Sequence, residues 1–451
     1  MCANRHGRSD DQEFSGGIGL KIVIVNTFSG RGSVGRICAD LYDELKRSGD
    51  EPYLAVGRGT FPEGADGMSI GSRPDFLMHV CKNFFQGGAG FGSKGATERF
   101  IKWLSEIRPD IVHLHNIHGF YLQTELLFEY LKTTDTAVIW TLHDCWSFTG
   151  HCAYFDYVQP WAKEEKKNAP DKDIDLGKVT CQRWKDGCHD CPIHRTAYPY
   201  AIFKDNSKKN YERKKAAYTG LKNLTIVTPS KWLAGYVKES FLKDYPVEVI
   251  PNGIDLDVFK PFSKKERELR KKQYQGFKHR RILGVANQWE ERKGLLYFDR
   301  LAEILPVNYT IELVGLSRPQ AELYKRKYKN GRVLPITRTG SVKALASLYR
   351  GADVYVNATL EDNFPTTNLE ALACGTPVIT FDTGGSSESL TKDCGMVVSK
   401  GDFDALLTAI ETVCEKQPFT PEDCRRRAER YGKADATKKY LELYKRCVKG
   451  L

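Results

Sequence analysis

The chain reads as an α/β protein built from two successive, doubly wound, Rossmann-like lobes. Three observations predict this: short β-branched runs alternate with amphipathic helical segments, the alternation restarts near residue 278, and a charged stretch without an apolar face, Lys264–Gly276, separates the two rounds. A length of 451 residues suits two or three domains at roughly 100–200 residues each.

In the first round, Lys21–Asn26 (KIVIVN) is a buried strand by its run of branched apolar residues. The turn Gly30-Arg31-Gly32-Ser33-Val34-Gly35 follows, and Ile37–Ser48 places Ile37, Leu41 and Leu45 on one helical face. Strand, glycine turn and helix open a Rossmann-like unit. Pro52–Val56, Asp110–His115, Ala137–Leu142, Asn223–Thr228 and Val247–Ile250 continue as strands, with helices such as Thr97–Ile107 between them. These elements define a first lobe over 20–262, preceded by a polar leader at 1–19 that lacks the apolar core of a signal peptide. Gly87–Gly95 reads as a flexible loop suited to a lid. A Cys-rich insertion occupies about 152–213; its Glu164–Arg213 portion is long, basic and aromatic, and needs a staple or a function.

The second round places strands at Arg281–Ala286, Thr310–Gly315, Arg332–Leu334, Asp353–Asn357 and Pro377–Phe381, with helices including Lys343–Arg350 and Thr366–Cys374. It defines a second lobe over 278–425. The tail, 426–451, carries an amphipathic helix at Lys433–Val448 with Tyr440, Leu441, Leu443, Tyr444 and Cys447, expected to pack back on the first lobe.

Composition narrows the function classes. No run of about 18 apolar residues spans a membrane, and 41% hydrophobic content is ordinary for a soluble chain. The net charge of +11 suits phosphate-bearing ligands, nucleic acid or an anionic membrane face without choosing among them. Thirteen cysteines, an odd number, favour free thiols in a reducing compartment over a disulfide framework.

The strongest chemical signal is Glu361-Asp362-Asn363-Phe364-Pro365-Thr366-Thr367-Asn368-Leu369-Glu370, continuing to Cys374-Gly375-Thr376-Pro377. It follows a strand and therefore lies at the carboxyl edge of a parallel sheet, where open α/β sheets bind ligands. Pro365 suits the first turn of a helix, and the amides near Thr366 and Thr367 then face the cleft as a phosphate site. Asp362 before the helix and Glu370 inside it can each accept hydrogen bonds from neutral sugar hydroxyls.

This segment resembles the donor-binding signature of the retaining, two-lobe (GT-B) glycosyltransferases of family 4, and the resemblance extends from about residue 20 to 445. It is nearest to the bacterial exopolysaccharide and colanic-acid type, which carries stretches like Thr141-Leu142-His143-Asp144-Cys145-Trp146 and Asp362-Asn363-Phe364-Pro365. The family usually has two glutamates with seven residues between them; here the first position is Asp362, with Glu361 beside it. The resemblance implies a donor cleft between the lobes, lined by Gly32, Lys293, Asp362, Asn363, Phe364, Pro365, Thr366, Thr367 and Glu370. Gln288 stands where the family has an arginine, and the neighbouring Arg292 is a candidate replacement for its charge. Thr337 and Arg338 fall where the family holds the nucleobase, and Gly384-Gly385 with Glu388 resembles an element near the nucleotide.

The resemblance also implies that His143, just after a strand, approaches the transferred sugar, and it makes His143 and Asp362 the catalytic candidates. A neutral imidazole can donate and accept one hydrogen bond; a structural histidine is the plainer alternative. Asp144 is a candidate for orienting acceptor hydroxyls, and His113, His115 and His118 read as cleft-wall or packing residues. Cys152, Cys181, Cys188 and Cys191 form a candidate structural zinc site, Cys188 to Cys191 being a C-x2-C knuckle; free thiols are the alternative, and Cys145 and His189 are spare candidates. No metal cofactor is expected for catalysis. Basic and aromatic residues of the insertion (Trp161, Lys163, Lys166, Lys167, Trp184, Lys185, Tyr198, Tyr200, Lys204, Lys208, Lys209) suit an anionic membrane or a lipid-linked acceptor.

The expectation is transfer of a hexose-type sugar from a nucleotide-sugar to a lipid-linked or oligosaccharide acceptor in polysaccharide synthesis, in the cytoplasm or peripherally at the inner face of the plasma membrane. A sugar-nucleotide epimerase or hydrolase on the same fold is the alternative; it needs dedicated acid and base groups, and only His143 and Asp144 are evident. A nucleic-acid partner is not expected, because no binding module appears and the basic residues are dispersed. A dinucleotide oxidoreductase fits the glycine spacing, but the second strand ends in Gly57-Arg58 rather than an acid.

Overall fold

Each half of the chain winds about its own parallel sheet, and the two sheets reverse their winding at the same point. In the computed structural model, which describes residues 19–30, 32–59, 61–158, 178–273 and 279–449, the first lobe has strands β1 (Lys21–Phe28), β2 (Glu51–Arg58), β3 (Gly67–Ser69), β4 (Ile111–Leu114), β5 (Ala137–Thr141), β8 (Leu224–Thr228) and β9 (Val247–Val249), with β6 (Asp156–Val158) and β7 (Lys178–Thr180) forming a separate antiparallel pair. The order is β3-β2-β1-β4-β5-β8-β9. The second lobe has β10 (Arg280–Val285), β11 (Tyr309–Val314), β12 (Val333–Ile336), β13 (Val354–Asn357), β14 (Val378–Phe381) and β15 (Gly395–Val398), ordered β12-β11-β10-β13-β14-β15.

In both sheets the winding reverses beside the first strand, between β1 and β4 and between β10 and β13. Such switch points open a crevice at the carboxyl ends of the strands. The first strands are buried on both faces, as their unbroken apolar runs require: Ile22, Val23, Ile24 and Val25 are all fully buried. The helix Lys433–Lys449 returns to the first lobe, where Tyr440, Leu443 and Tyr444 share a core with Ile22, Ile24, Leu41 and Leu45. Tyr444 Oη also lies 2.6 Å from His113 Nδ1, and Tyr440 Oη 3.1 Å from Thr141 Oγ1.

Several local readings change. The glycine turn ends at Gly32, because Ser33, Val34 and Gly35 already belong to the helix Gly32–Arg47. The expected lid at Gly87–Gly95 is packed rather than open, residues 87–92 being buried. Its glycines permit close approach: a Cβ on Gly92 would stand 2.5 Å from the His79 ring, and one on Gly90 2.7 Å from Trp146. The charged separator forms a helix, Lys264–Gln273, and β15 is a sixth strand without a sequence counterpart. Trp184 is buried and Tyr198 half-buried, so neither belongs to an exposed basic surface. The leader through Ile18, Arg31 of the glycine turn, and Trp161, Lys163, Lys166 and Lys167 lie outside the described residues. Among the described residues no helix is long and apolar enough to cross a membrane.

Candidate active site

The two switch points face each other, and the loops that leave them carry most of the expected side chains. From the first sheet come the turn after β1, with Gly30, Ser33 and Arg36, and the segments after β4 and β5, with His115, His118, His143 and Asp144. From the second come the turn after β10, with Arg292 and Lys293, and the signature after β13.

The signature helix spans Thr366–Ala373, with Pro365 at the N-cap (φ −68°, ψ 117°) rather than within the first turn. A fixed φ pre-organises that start. Asn368, fully buried, anchors the helix: its Nδ2 donates to Ser386 Oγ (3.1 Å) and Ser389 Oγ (3.0 Å), and its Oδ1 accepts from Asn357 Nδ2 (2.8 Å). The double glycine lies beneath the loop; a Cβ on Gly384 would meet the Asp362 carbonyl oxygen at 1.7 Å, and one on Gly385 the Asn363 carbonyl oxygen at 2.1 Å. Those glycines therefore serve close backbone approach.

Charges are paired across this loop. Lys293 Nζ donates to Asp362 Oδ2 at 2.5 Å. Burial raises the Asp362 pKa, but Lys293 and Arg292 outweigh it and hold the carboxyl below its ordinary range. Burial pulls the Lys293 pKa down, opposed by Asp362. Arg292 donates to the Glu361 carbonyl (2.6 Å) and lies 3.9 Å over the Tyr154 ring, so its charge does enter the site, whereas Gln288 and Arg338 are exposed. At the other end, Glu370 accepts from Arg36 Nη2 (3.3 Å) and from Tyr349 Oη (3.1 Å). Its carboxyl is pushed up to about 7, by burial above all, with Arg36 and Tyr349 opposing. Ser33 Oγ lies 3.3 Å from Thr366 Oγ1 across the cleft. A cavity of about 300 Å³ lies here, lined among others by Gly30, Ser33, Arg36, Thr366 and Glu370; that is the lower end of the range for small-molecule sites. Gly32 (φ 66°) shapes the turn beside it, and Thr367 interacts with the Tyr355 hydroxyl.

Other parts of the loop clasp the first lobe. Both carboxylate oxygens of Glu361 accept from the Phe155 amide, at 3.0 and 2.9 Å. Asn363 donates to the His143 carbonyl (3.1 Å) and accepts from Ser230 Oγ (2.5 Å), and Asn252 donates to the carbonyl of the buried Phe364 (3.0 Å). Glu388, expected beside a nucleotide, instead accepts the amides of Lys231 (2.9 Å) and Trp232 (2.8 Å), capping the helix Lys231–Glu239.

His143 is half-buried, its Nε2 lying 3.0 Å from His115 Nδ1. Burial pushes its pKa down to about 4, so the ring is neutral near pH 7; Asp144 acts against this and His118 with it. His115 Nε2 is buried without a partner among the described residues, which favours a proton on Nδ1 donated to His143. Asp144 is engaged by His118 (3.0 Å), which also meets Tyr198 Oη (2.9 Å).

Comparison with known proteins agrees with this architecture. Residues 279–416 match the family described as glycosyl transferases group 1. The second lobe is a glycosyl transferases group 1 domain. The chain is thus a glycosyltransferase. Over 404 residues it is 22% identical to the putative colanic acid biosynthesis glycosyl transferase WcaC of Escherichia coli (strain K12), covering 84% of this chain and 88% of that one. It is 28% identical over 187 residues to the lipopolysaccharide core biosynthesis mannosyltransferase LpsB of Rhizobium meliloti (strain 1021), covering 39% of this chain and 52% of that one. Among solved structures it resembles sucrose-phosphate synthase from Thermosynechococcus elongatus, with a TM-score of 0.66 at 16% identity, over 96% of this chain and all (100%) of that one. The glycosyltransferase fold is thus the two-lobe GT-B architecture.

Sequence reasoning missed Arg36 and Tyr349 as partners of Glu370, and Glu361 and Glu388 as interlobe clasps. It also missed the outer face of the helix Arg73–Gln86, where Leu77, Met78, Phe84 and Phe85 are 55%, 70%, 40% and 52% exposed. The spacing i, i+1, i+7, i+8 was the available signal.

Proposed function

We propose that the chain is a retaining glycosyltransferase of family 4 that moves a hexose-type sugar from a nucleotide-sugar to a lipid-linked or oligosaccharide acceptor in polysaccharide synthesis. The observation that carries this reading is the helix start at Thr366, set between the Lys293–Asp362 pair and the Arg36–Glu370 pair and facing the glycine turn. Phosphate suits the helix N-terminus, and sugar and ribose hydroxyls suit the carboxylates on either side. The named relatives in colanic-acid and lipopolysaccharide synthesis support the polysaccharide role.

In the proposed reaction the bond from the anomeric carbon to the diphosphate oxygen breaks while the acceptor hydroxyl attacks from the same face. The acceptor proton passes to the departing diphosphate oxygen. Lys293, Arg292 and the Thr366–Thr367 amides stabilise the charge that develops there. Asp362 and neutral His143 orient the sugar, and Glu370 the ribose; Asn363, Phe364 and Pro365 shape the loop. Gln288 and Arg338 lie on the exposed base-side loops and are proposed to meet the nucleotide on closure.

The exposed stripe of the helix Arg73–Gln86 supports peripheral contact with an anionic membrane face on the cytoplasmic side. Phe85 stacks on the exposed Phe203 (5.0 Å between centroids), and the exposed Lys82, Lys204, Lys208 and Lys209 flank these rings in sequence. Apolar side chains ringed by lysines suit a headgroup boundary.

The test is a panel of nucleotide-sugars and NAD scored by melting temperature, then by donor hydrolysis. A nucleotide-sugar is expected to raise the melting temperature, and Lys293→Ala to abolish turnover. Stabilisation by NAD alone, or full turnover in Lys293→Ala, rejects the reading.

A further inference from the structure

The cysteine-rich module packs behind the active site, against the loop that clasps Glu361. Cys152, Cys181, Cys188 and Cys191 come from three separate stretches of chain, yet all four line one cavity of about 10 Å³. At their present separations no three His, Cys, Asp or Glu side chains among the described residues form a metal-holding group, so the thiols ring the cavity more widely than zinc–sulfur bonds of about 2.3 Å require.

Three independent features of the wall nevertheless ask for an ion. The knuckle is already turned: Cys188 (φ 45°) and Asp190 (φ 44°) take left-handed backbone conformations, and the Gly150 amide donates to Cys188 Sγ at 3.2 Å. Burial pushes the Cys188 thiol up to about 11, and the Gly150 amide acts against it, towards the thiolate form that binds metal. Polar atoms are stranded around the cavity: His151 Nε2, Trp184 Nε1 and Ser207 Oγ belong to lining residues and have no partner among the described residues, although the three residues are only 5%, 1% and 3% exposed. Unpartnered buried polar atoms are rare in a finished interior. Finally, Lys214 is buried beneath the module, with its ammonium donating only to neutral groups, the carbonyls of Trp146 (2.6 Å) and Thr149 (3.0 Å). Burial pulls its pKa well below the ordinary lysine value, and Cys188, Cys152 and Asp144 act against that. A buried lysine keeps its charge only where nearby negative groups offset the desolvation. Four thiolates around a divalent cation leave a net negative charge that answers it.

We propose that Cys152, Cys181, Cys188 and Cys191 bind one zinc ion, which draws the four sulfurs inward and staples the module. The role is structural, because a four-thiolate shell is closed and leaves no position for a reactant. Its reach is functional: Cys152 lies three residues before Phe155, whose amide holds Glu361, and Tyr154 between them stacks under Arg292. Metal thus fixes the segment against which the signature loop closes. The proposal does not depend on which donor or acceptor the enzyme uses.

The experiment is metal analysis of the full chain purified under reducing conditions without chelator from zinc-supplemented cells, followed by cobalt replacement. About one zinc per chain is expected, with cobalt giving the intense near-ultraviolet sulfur-to-metal band and visible bands of a tetrahedral thiolate site. Cys188→Ser and Cys191→Ser are expected to lose the metal, while Cys81→Ser, at an exposed cysteine outside the cavity, keeps it. If the module variants misfold, the metal content and cobalt spectrum of the parent still decide. A parent chain without stoichiometric metal, a cobalt spectrum without sulfur charge transfer, or full metal retained in Cys188→Ser overturns the proposal.

Discussion

Replacing Glu370 with glutamine should stabilise the protein at alkaline pH and not at acid pH. The Glu370 side chain is 3% exposed, and burial lifts its carboxyl from the ordinary 4.5 to about 7. At about 1.4 kcal/mol per pH unit, ionising it in the folded state costs about 3 kcal/mol more than in the unfolded chain. The sign follows from proton binding. Between pH 4.5 and 7 the folded chain holds a proton that the unfolded chain has released, so stability falls as pH rises through that window and levels off above it. Glutamine keeps an acceptor for the Tyr349 hydroxyl and has no charge to desolvate, but it gives up the 3.3 Å contact with the half-exposed Arg36. The expected net gain above pH 8 is therefore smaller, about 1–2 kcal/mol, since partly exposed pairs contribute about 0–1 kcal/mol. For a lobe of this size that is a rise of roughly 2–8 °C in melting temperature at pH 8.5, and no rise at pH 5. Calorimetry of both forms at the two pH values is the assay. Binding of a nucleoside should also tighten between pH 6 and 8 in the parent, as the carboxylate forms to accept ribose hydroxyls, and stay flat in the variant. An equal melting difference at both pH values refutes the burial argument.

Three further perturbations test other parts of the site. Lys293→Ala leaves Asp362 without its 2.5 Å partner; it should destabilise by about 1–3 kcal/mol in urea and weaken nucleoside diphosphate binding at least tenfold, and adding Asp362→Asn should recover the stability but not the binding. Gly384→Ala forces a side chain at φ +56° and places its Cβ 1.7 Å from the Asp362 carbonyl, so donor affinity should collapse together with about 2 kcal/mol or more of stability, whereas Gly340→Ala, with open space around it, should change neither in a thermal-shift titration. Tyr444→Phe removes the hydroxyl 2.6 Å from His113 and should lower stability by about 1–1.5 kcal/mol in urea, with nucleoside diphosphate affinity unchanged by calorimetry.

The fold was legible because its signals are local. Parallel strands buried on both faces leave branched apolar runs such as Lys21–Asn26, and the runs recur at the spacing of helical crossovers. The signature segment was legible for the same reason, since strand, proline, helix and glycine stand within about twenty residues. What escaped depends on partners far apart in the chain. Arg36 and Glu370 are 334 positions apart, and Phe155 and Glu361 are 206 apart; no window of sequence contains both. Gly87–Gly95 was misread because glycine permits both mobility and close approach, and the choice between them was made by His79 and Trp146 from outside the segment. Trp184 and Tyr198 looked like surface aromatics because their neighbours in sequence are basic, while their neighbours in space are Phe155, Tyr236 and His118.

The interlobe contacts treat two adjacent acids differently. Glu361 and Asp362 stand side by side but meet different partners, Glu361 the Phe155 amide and Asp362 the Lys293 ammonium. The Glu361 side is closed: both oxygens face the Phe155 amide, and the residue is 4% exposed. The Asp362 side carries Lys293, the group suited to a diphosphate. A carboxylate that leaves a backbone amide unpaired loses more than one that exchanges an ammonium for a sugar hydroxyl, because the buried amide has no water to replace it. On this ground we propose Asp362 as the acid that turns to a ligand and Glu361 as the one that stays.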